Sequence, residues 1–220
     1  LTLQNPKTSF PDEQIFIIYH QITELYFKLC MNEFDQLAQK EKVDVKFLTT
    51  RVNRINSYFE NLVRSFEIMV DGMEHNQFLK FRMSLLPASG FQSAQYRMIE
   101  ICSTDFIHLV AKDRRENFNS GSSVADMFEH IYWKAGATEL KTGEKTLTLK
   151  QFEEKYSDSL IRLAERKQNS NLWAIYKRLS PEDQQNKDLI AGLKMLDVNV
   201  NVNWPLSHYK SAVRYLQKDP

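Results

Sequence analysis

The sequence contains five histidines, the residue type that most often binds metals and transfers protons near neutral pH. They are His20, His75, His108, His130 and His208. No two lie within four residues of each other, so the paired ligands of an HExxH zinc site are absent. The sequence also lacks a GxSxG elbow, a Walker loop and a GxGxxG fingerprint. Residue spacing therefore gives no support to metal-dependent hydrolysis, phosphate chemistry or dinucleotide binding.

Four polar residues in apolar or turn-forming segments are candidates for chemistry. His20 follows the apolar run 15–19, and taken singly it favours a core histidine satisfied by a neighbour. His208 lies on a helical pattern near the C-terminus, and taken singly it favours a histidine at the boundary of the core. Arg82 follows an aromatic segment, where it either extends its stem over the surface or binds a carboxylate through its planar fork. Ser89 lies in a Pro-Ala-Ser-Gly segment, and considered alone it is interpreted as a turn residue.

The elements that must position these residues are predicted to be helices. Only six glycines and six prolines occur among 220 residues, a scarcity that favours long helices over a sheet with many turns. In the first helix the predicted apolar stripe is Ile15, Ile18, Ile22, Leu25 and Leu29, at helical spacing, widened by Phe16 and Phe27. The predicted helices are residues 11–39, 45–70, 77–85, 91–111, 124–134, 149–166, 171–179, 181–196 and 204–217.

The connections are predicted from turn residues and local pattern. Segments 86–90, 112–123 and 141–145 are predicted breaks or loops. Segment 197–203 alternates Val and Asn, which predicts an extended connection, and Asn203 is predicted to cap the helix that begins at Trp204. No repeat or dividing linker occurs, so we predict one helical domain over 1–220, with residues missing at both ends.

Composition and charge narrow the function classes. The 29 basic and 28 acidic side chains are intermixed, giving a net charge of +1, which argues against a nucleic-acid partner. No apolar run approaches the roughly 20 residues that cross a bilayer, so no membrane segment is predicted. The two cysteines, Cys30 and Cys102, lie far apart in apolar surroundings, and we expect reduced core thiols in a cytoplasmic protein.

Longer motifs around these residues resemble one family. Residues 16–28, FIIYHQITELYFK, resemble the FII-x-HQ-x-x-EL-x-x-K signature of the tryptophan 2,3-dioxygenases. Residues 78–82, FLKFR, and 87–100, PASGFQSAQYRMIE, resemble that family's FR…PASGFQS-x-Q-x-R-x-IE block, and 51–55, RVNRI, fits the intervening helix. Residues 204–208, WPLSH, resemble the shorter W-x-x-x-H that carries the proximal haem ligand, although 205–207 replace the family's basic residues.

The resemblance implies an all-α fold of long amphipathic helices around a haem pocket, with haem b as cofactor. It implies that the enzyme inserts O2 across the indole C2–C3 bond of L-tryptophan to give N-formyl-L-kynurenine, in tryptophan catabolism. It also implies a homotetramer. The implied roles are His208 as iron ligand, His20 as catalytic residue and indole partner, Phe16 and Phe78 beside the substrate, Arg82 on its carboxylate, and Ser89, Gly90 and Trp204 beside the haem.

Other interpretations stay open on sequence alone. A protein of the same fold could bind or sense an indole compound without turnover, or oxidise a different indole substrate. A helical bundle without haem, and a haem held by a thiolate of Cys30 or Cys102, are further alternatives.

Overall fold

A computed structural model describes residues 5–82, 93–119, 121–138 and 143–216. In these ranges the chain forms helices and two isolated antiparallel bridges, with no strand, so the all-α prediction is confirmed. None of the helices in the described ranges is both long and apolar enough to cross a membrane. The α-helices are α1 Pro11–Gln39, α2 Val45–Ser65, α3 Glu67–Val70, α4 His75–Phe81, α5 Ala94–Ser103, α6 Val124–Glu129, α7 Tyr132–Ala135, α8 Leu147–Lys167, α9 Leu172–Lys177, α10 Pro181–Gln184, α11 Lys187–Val198 and α12 Trp204–Leu216.

Contacts divide the chain into two compact units. The single domain over 1–220 stays a prediction. The first unit comprises Leu1–Glu33, Val45–Leu86 and Gln185–Pro220, and the second Phe34–Asp44 and Pro87–Gln184.

In the first unit, α2 joins α1 on one side and α11 on the other. The buried carboxylate of Glu33 on α1 accepts hydrogen bonds from Arg51 (3.3 Å), Arg54 (3.4 Å) and Tyr58 (3.1 Å) of α2. A Cβ added to Gly192 of α11 would lie 3.1 Å from Cγ1 of the buried Val52 on α2. The glycine therefore permits the close approach of α11 to α2.

In the second unit, α5 packs on α8. Arg97 of α5 donates to Glu100 at 2.6 Å and to the Tyr132 hydroxyl at 3.2 Å, and that hydroxyl donates in turn to Glu100. Buried ions need such partners, because an unpaired charge away from water is costly. The network holds α5 against the start of α7.

Most predicted helices occur, with shifts at their ends. The bounds of α1 match the prediction, whereas the helix predicted over 45–70 is interrupted at Phe66 and the one over 91–111 gives α5 and a 3₁₀ turn, Phe106–Leu109. The helices predicted over 124–134 and 181–196 also divide into two each. Break 86–90 lies outside the described residues, as do residues 141 and 142 of the predicted loop 141–145, whereas residues 143–145 are described and are not helical.

Most of the apolar stripe predicted on α1 is exposed, although Phe27, which widens it, is buried. Ile18 (47%), Ile22 (38%), Leu25 (53%) and Leu29 (44%) are exposed. The buried apolar residues of α1 are Ile17, Tyr19, Phe27, Cys30, Phe34 and Leu37. Because α1 carries apolar residues on two faces, helical periodicity alone did not identify which one packs.

The extended connection predicted over 197–203 was also wrong. Asn199–Asn203 forms a π-helical turn continuous with α11 and α12. The buried residues are the neighbours Asn199 and Val200, whereas Val198 and Val202 are exposed, so the alternation does not match burial. Asn203 caps no free helix end, because the backbone is already helical; its side chain donates to Asn199 Oδ1 at 2.9 Å.

Candidate functional site

The first part of the site is an aromatic cluster between α1 and α4. The rings of Phe16 and His20, one helical turn apart on α1, have centroids 4.1 Å apart. Phe78 and Phe81 of α4 lie 6.4 and 6.0 Å from Phe16. The carboxylate of Asp12 accepts the backbone N–H of Glu74 at 2.5 Å, which fixes the start of α4 against α1. The structure thus brings together the predicted residues Phe16, His20 and Phe78.

His20 has a defined protonation pattern. Its Nδ1–H donates to the Phe16 carbonyl at 2.8 Å, and because a carbonyl only accepts, Nδ1 carries the proton. The neutral ring therefore presents the Nε2 lone pair as an acceptor. Burial lowers the pKa of His20 below its usual value, against the smaller raising effect of the Phe16 carbonyl. The ring is thus neutral and suited to accept a hydrogen bond near neutral pH.

Arg82 lies at the C-terminal end of α4, next in sequence to Phe81. Its backbone N–H donates to the Phe78 carbonyl, and its side chain is half-buried. Arg82 thus directly follows the aromatic cluster in sequence, and its planar cation is of the kind that pairs with a carboxylate.

His208 forms the second part of the site, on α12. Its ring centroid lies 4.5 Å from Trp204 and 4.6 Å from Phe66. Its Nδ1–H donates to the Trp204 carbonyl at 3.2 Å, so Nε2 of the neutral ring has its lone pair available for a metal ion. Burial lowers the pKa of His208 to about 4, and His20 contributes a smaller lowering. The two histidines are therefore close enough to interact electrostatically.

Phe66 is a site residue that the sequence did not reveal. It lies in the interruption between α2 and α3, with its ring 5.4 Å from Trp204, 4.6 Å from His208 and 5.6 Å from Tyr19. It therefore connects α1 with α12. In the sequence it belongs to the apolar pattern of a continuous helix, and no signal distinguishes it.

The donor groups fit a haem. A haem iron needs one neutral imidazole in apolar surroundings, which His208 provides between Phe66 and Trp204. The described residues contain no group of three or more His, Cys, Asp or Glu side chains suited to a metal ion. Both cysteines are buried; burial raises the pKa of the Cys102 thiol to about 12 and that of Cys30 further still.

The remaining predicted residues divide into two groups. Trp204 is buried, 5.6 Å from the ring of Phe27 in an edge-to-face contact, and it supplies the carbonyl that orients His208. Ser89 and Gly90 lie outside the described residues.

A cleft of about 330 Å³ adjoins Phe66 and Ser207 and is also lined by Arg64 and Lys210.

Comparisons with known proteins agree with the motifs. A family model described as tryptophan 2,3-dioxygenase matches residues 1–194. Curated proteins named tryptophan 2,3-dioxygenase are similar to the chain: that of Herpetosiphon aurantiacus is 34% identical over 59% of this chain and 54% of its own length. Those of Ruegeria sp. and Bacillus thuringiensis are 38% and 36% identical over 46% of this chain and 36% of their own. The matched part thus spans about half or less of these relatives, and the family-model match ends before Trp204 and His208.

Proposed function

The chain belongs to the tryptophan 2,3-dioxygenase family, and on that premise we propose that it is a haem-dependent dioxygenase acting on L-tryptophan. The reaction inserts O2 across the indole C2–C3 bond and gives N-formyl-L-kynurenine. Both oxygen atoms enter the product, so no external reductant is consumed in a turnover. The observation that carries the proposal is the pairing of two neutral histidines, His20 and His208, with Nε2 of each available.

His208 is proposed as the ligand of the haem iron. Its Nδ1 hydrogen bond to the Trp204 carbonyl sets the tautomer that a metal ligand requires, and Phe66 and Trp204 restrict its ring. Bound haem supplies the binding and activation of O2. Trp204, Ser89 and Gly90 are proposed neighbours of the haem, on the resemblance of their motifs to the family's.

His20 and the aromatic cluster are proposed to orient the indole. The Nε2 lone pair of His20 suits the indole N–H, which only donates. Phe16 and Phe78 are half-buried aromatic rings beside His20, which suits them to contact the indole. His20 therefore acts by holding the indole N–H while C2 and C3 face the oxygen, and no strong base is needed.

Arg82 is proposed to bind the substrate carboxylate. It follows the α4 aromatic residues that contact Phe16, so a substrate whose indole lies on Phe16 can extend its carboxylate toward Arg82. A guanidinium binds both carboxylate oxygens at once, which fixes orientation as well as affinity.

We further propose that the protein acts in the cytoplasm as a homotetramer, as the family resemblance implies. The exposed stripe Ile18, Ile22, Leu25 and Leu29 on α1 supports self-association, because its spacing is that of packed helix pairs.

The test is a spectrum followed by an assay. The protein is expressed with added haem, reduced, and its visible absorption recorded with and without L-tryptophan and O2. A five-coordinate histidine-ligated ferrous spectrum, perturbed by tryptophan and followed by N-formyl-L-kynurenine absorbance, supports the proposal. A tryptophan-induced shift without product would favour an indole-binding protein, and absence of haem uptake would refute His208 as a ligand.

A further inference from the structure

A ladder of asparagine amides, buried at Asn56 and Asn199 and half-buried at Asn203, runs along the π turn that precedes His208. Asn56 Nδ2 on α2 donates to the Gly192 carbonyl at 2.9 Å, and Asn199 Nδ2 donates to Asn56 Oδ1 at 3.2 Å. Asn203 Nδ2 then donates to Asn199 Oδ1 at 2.9 Å. Asn199 is 1% exposed, and its amide uses both its donor and acceptor sides.

The same turn controls the backbone on which His208 depends. The N–H of Trp204 donates to the Asn199 carbonyl, five residues earlier, which is the hydrogen bond of a π-helix. The Trp204 carbonyl in turn accepts Nδ1–H of His208. Asn199 thus lies two hydrogen bonds from the imidazole that the proposed function assigns to iron.

The register of the helix makes the π turn consequential. An α-helix has 3.6 residues per turn, so one extra residue in a turn rotates all later side chains by about 100° relative to the earlier ones. If the turn over Asn199–Asn203 relaxed to α-helical hydrogen bonding, His208 would turn away from the face that carries Phe66. A directional amide ladder opposes that relaxation, whereas an apolar side chain at position 199 would fill space without selecting the register.

We propose that Asn199, held by Asn56 and Asn203, is a positioning residue for His208 and selects the π turn that aims Nε2 at the iron. The proposal rests on the proposed function for the direction of that aim. Its structural part, the orientation and tautomer of the His208 ring, holds in the protein without haem and can be tested there.

The experiment compares Asn199→Ala and Asn203→Ala with a matched control, Asn201→Ala. Asn201 lies on the same turn, but its side chain is exposed and donates only to Asp197 at 2.7 Å. Two readouts are taken besides thermal unfolding. The imidazole ¹⁵N chemical shifts of His208 in the haem-free protein, assigned with His208→Ala, report the Nδ1-protonated tautomer. A haem titration then gives the dissociation constant and the ferrous spectrum.

Asn199→Ala is expected to mix the two His208 tautomers and to weaken haem binding by about tenfold or more. Asn203→Ala removes one hydrogen bond of the ladder, so we expect smaller changes in the His208 tautomer and in haem affinity. If Asn199→Ala does not fold, Asn203→Ala tests the positioning role on its own. Asn201→Ala should match the unsubstituted protein in both readouts. Unfolding at lower temperature with an unchanged tautomer in both ladder variants would overturn the proposal and leave a purely structural ladder.

The design separates this proposal from the proposed function. If the unsubstituted protein binds no haem, the proposed function fails. The ¹⁵N shifts of the ladder variants still decide whether Asn199 positions His208: a mixed tautomer upholds the positioning role, and an unchanged one overturns it.

Discussion

His20 and His208 make the same hydrogen bond: in each, Nδ1–H donates to the carbonyl of the residue four positions earlier, Phe16 at 2.8 Å and Trp204 at 3.2 Å. Each neutral ring consequently presents Nε2, and burial lowers the pKa of both. Protonation alone therefore does not distinguish an iron ligand from a substrate acceptor. The assignment of His208 to iron and His20 to the indole rests on the motifs around them, and substitution separates the two roles.

Replacing the proposed ligand should remove the haem, whereas replacing the proposed acceptor should not. We expect His208→Ala to lose the histidine-ligated haem spectrum, and His20→Ala to keep that spectrum while turnover falls. Absorption spectra and product formation measure the two effects. His130→Ala is the control, because His130 is exposed and contacts Phe118 in the second unit. Haem loss in His20→Ala with retention in His208→Ala would reverse the assignment.

Replacing Arg82 should affect tryptophan binding far more than the haem. A hydrogen bond to a charged group contributes about 1.5–3 kcal/mol, so Arg82→Ala should raise the Michaelis constant for tryptophan roughly 10- to 150-fold. Arg82→Lys should recover only part of this, since an ammonium lacks the planar fork. Lys80→Ala, an exposed cation on the same helix, is the control. An unchanged Michaelis constant in Arg82→Ala would contradict the assignment.

Sequence predicted the elements of the site better than their packing. The start of α1 was predicted because Pro11, Asp12 and Glu13 occupy its first turn. Which face of α1 is buried was not, because that depends on partners far away in sequence. The π turn was not predicted for the same reason, because the contact that buries Asn199 is made with Asn56, 143 residues earlier. The alternation of Val and Asn in 197–203 is also the pattern of a strand, so it predicted the wrong element.

The functional residues were predicted from motifs, not from spacing. Roles were assigned to four residues because the longer motifs that contain them occur in the same order as in the family. These residues are Phe16, His20, Phe78 and Arg82. Phe66 had no motif to identify it, since its importance comes from an interruption between α2 and α3 that its apolar neighbours do not signal.

Phe66 should contribute strongly to stability. Its buried ring contacts Tyr19, Trp204 and His208, and truncating a buried Phe to Ala costs about 3–5 kcal/mol. We expect Phe66→Ala to lower the free energy of unfolding by that amount, measured by urea denaturation of the haem-free protein. Tyr209→Ala removes a ring that is 67% exposed and should change it by only about 0.5 kcal/mol. Equal effects would show that Phe66 does not hold α12.

The two thiols should be unreactive in the folded protein. Cys30 and Cys102 are buried, and the pKa of Cys102 is raised to about 12, so at pH 8 both remain protonated and shielded. A disulfide reagent such as dithionitrobenzoate should label neither thiol in native buffer and both in denaturant. Fast labelling of one thiol under native conditions, with Cys30→Ala and Cys102→Ala identifying which, would contradict the burial of that residue.

The exposed stripe of α1 should be required for self-association. Leu25 is 53% exposed in the isolated chain, so Leu25→Glu should change the free energy of unfolding of a monomer by only about 0.5 kcal/mol. In an interface the same charge would be buried without a partner, which is costly. We therefore expect Leu25→Glu to shift the protein to a smaller assembly in size-exclusion chromatography with light scattering. Asn61→Glu, which adds the same charge at an exposed position of α2, should leave the assembly intact. If Leu25→Glu keeps the unsubstituted mass, the stripe lies outside the interface and α1 does not mediate assembly.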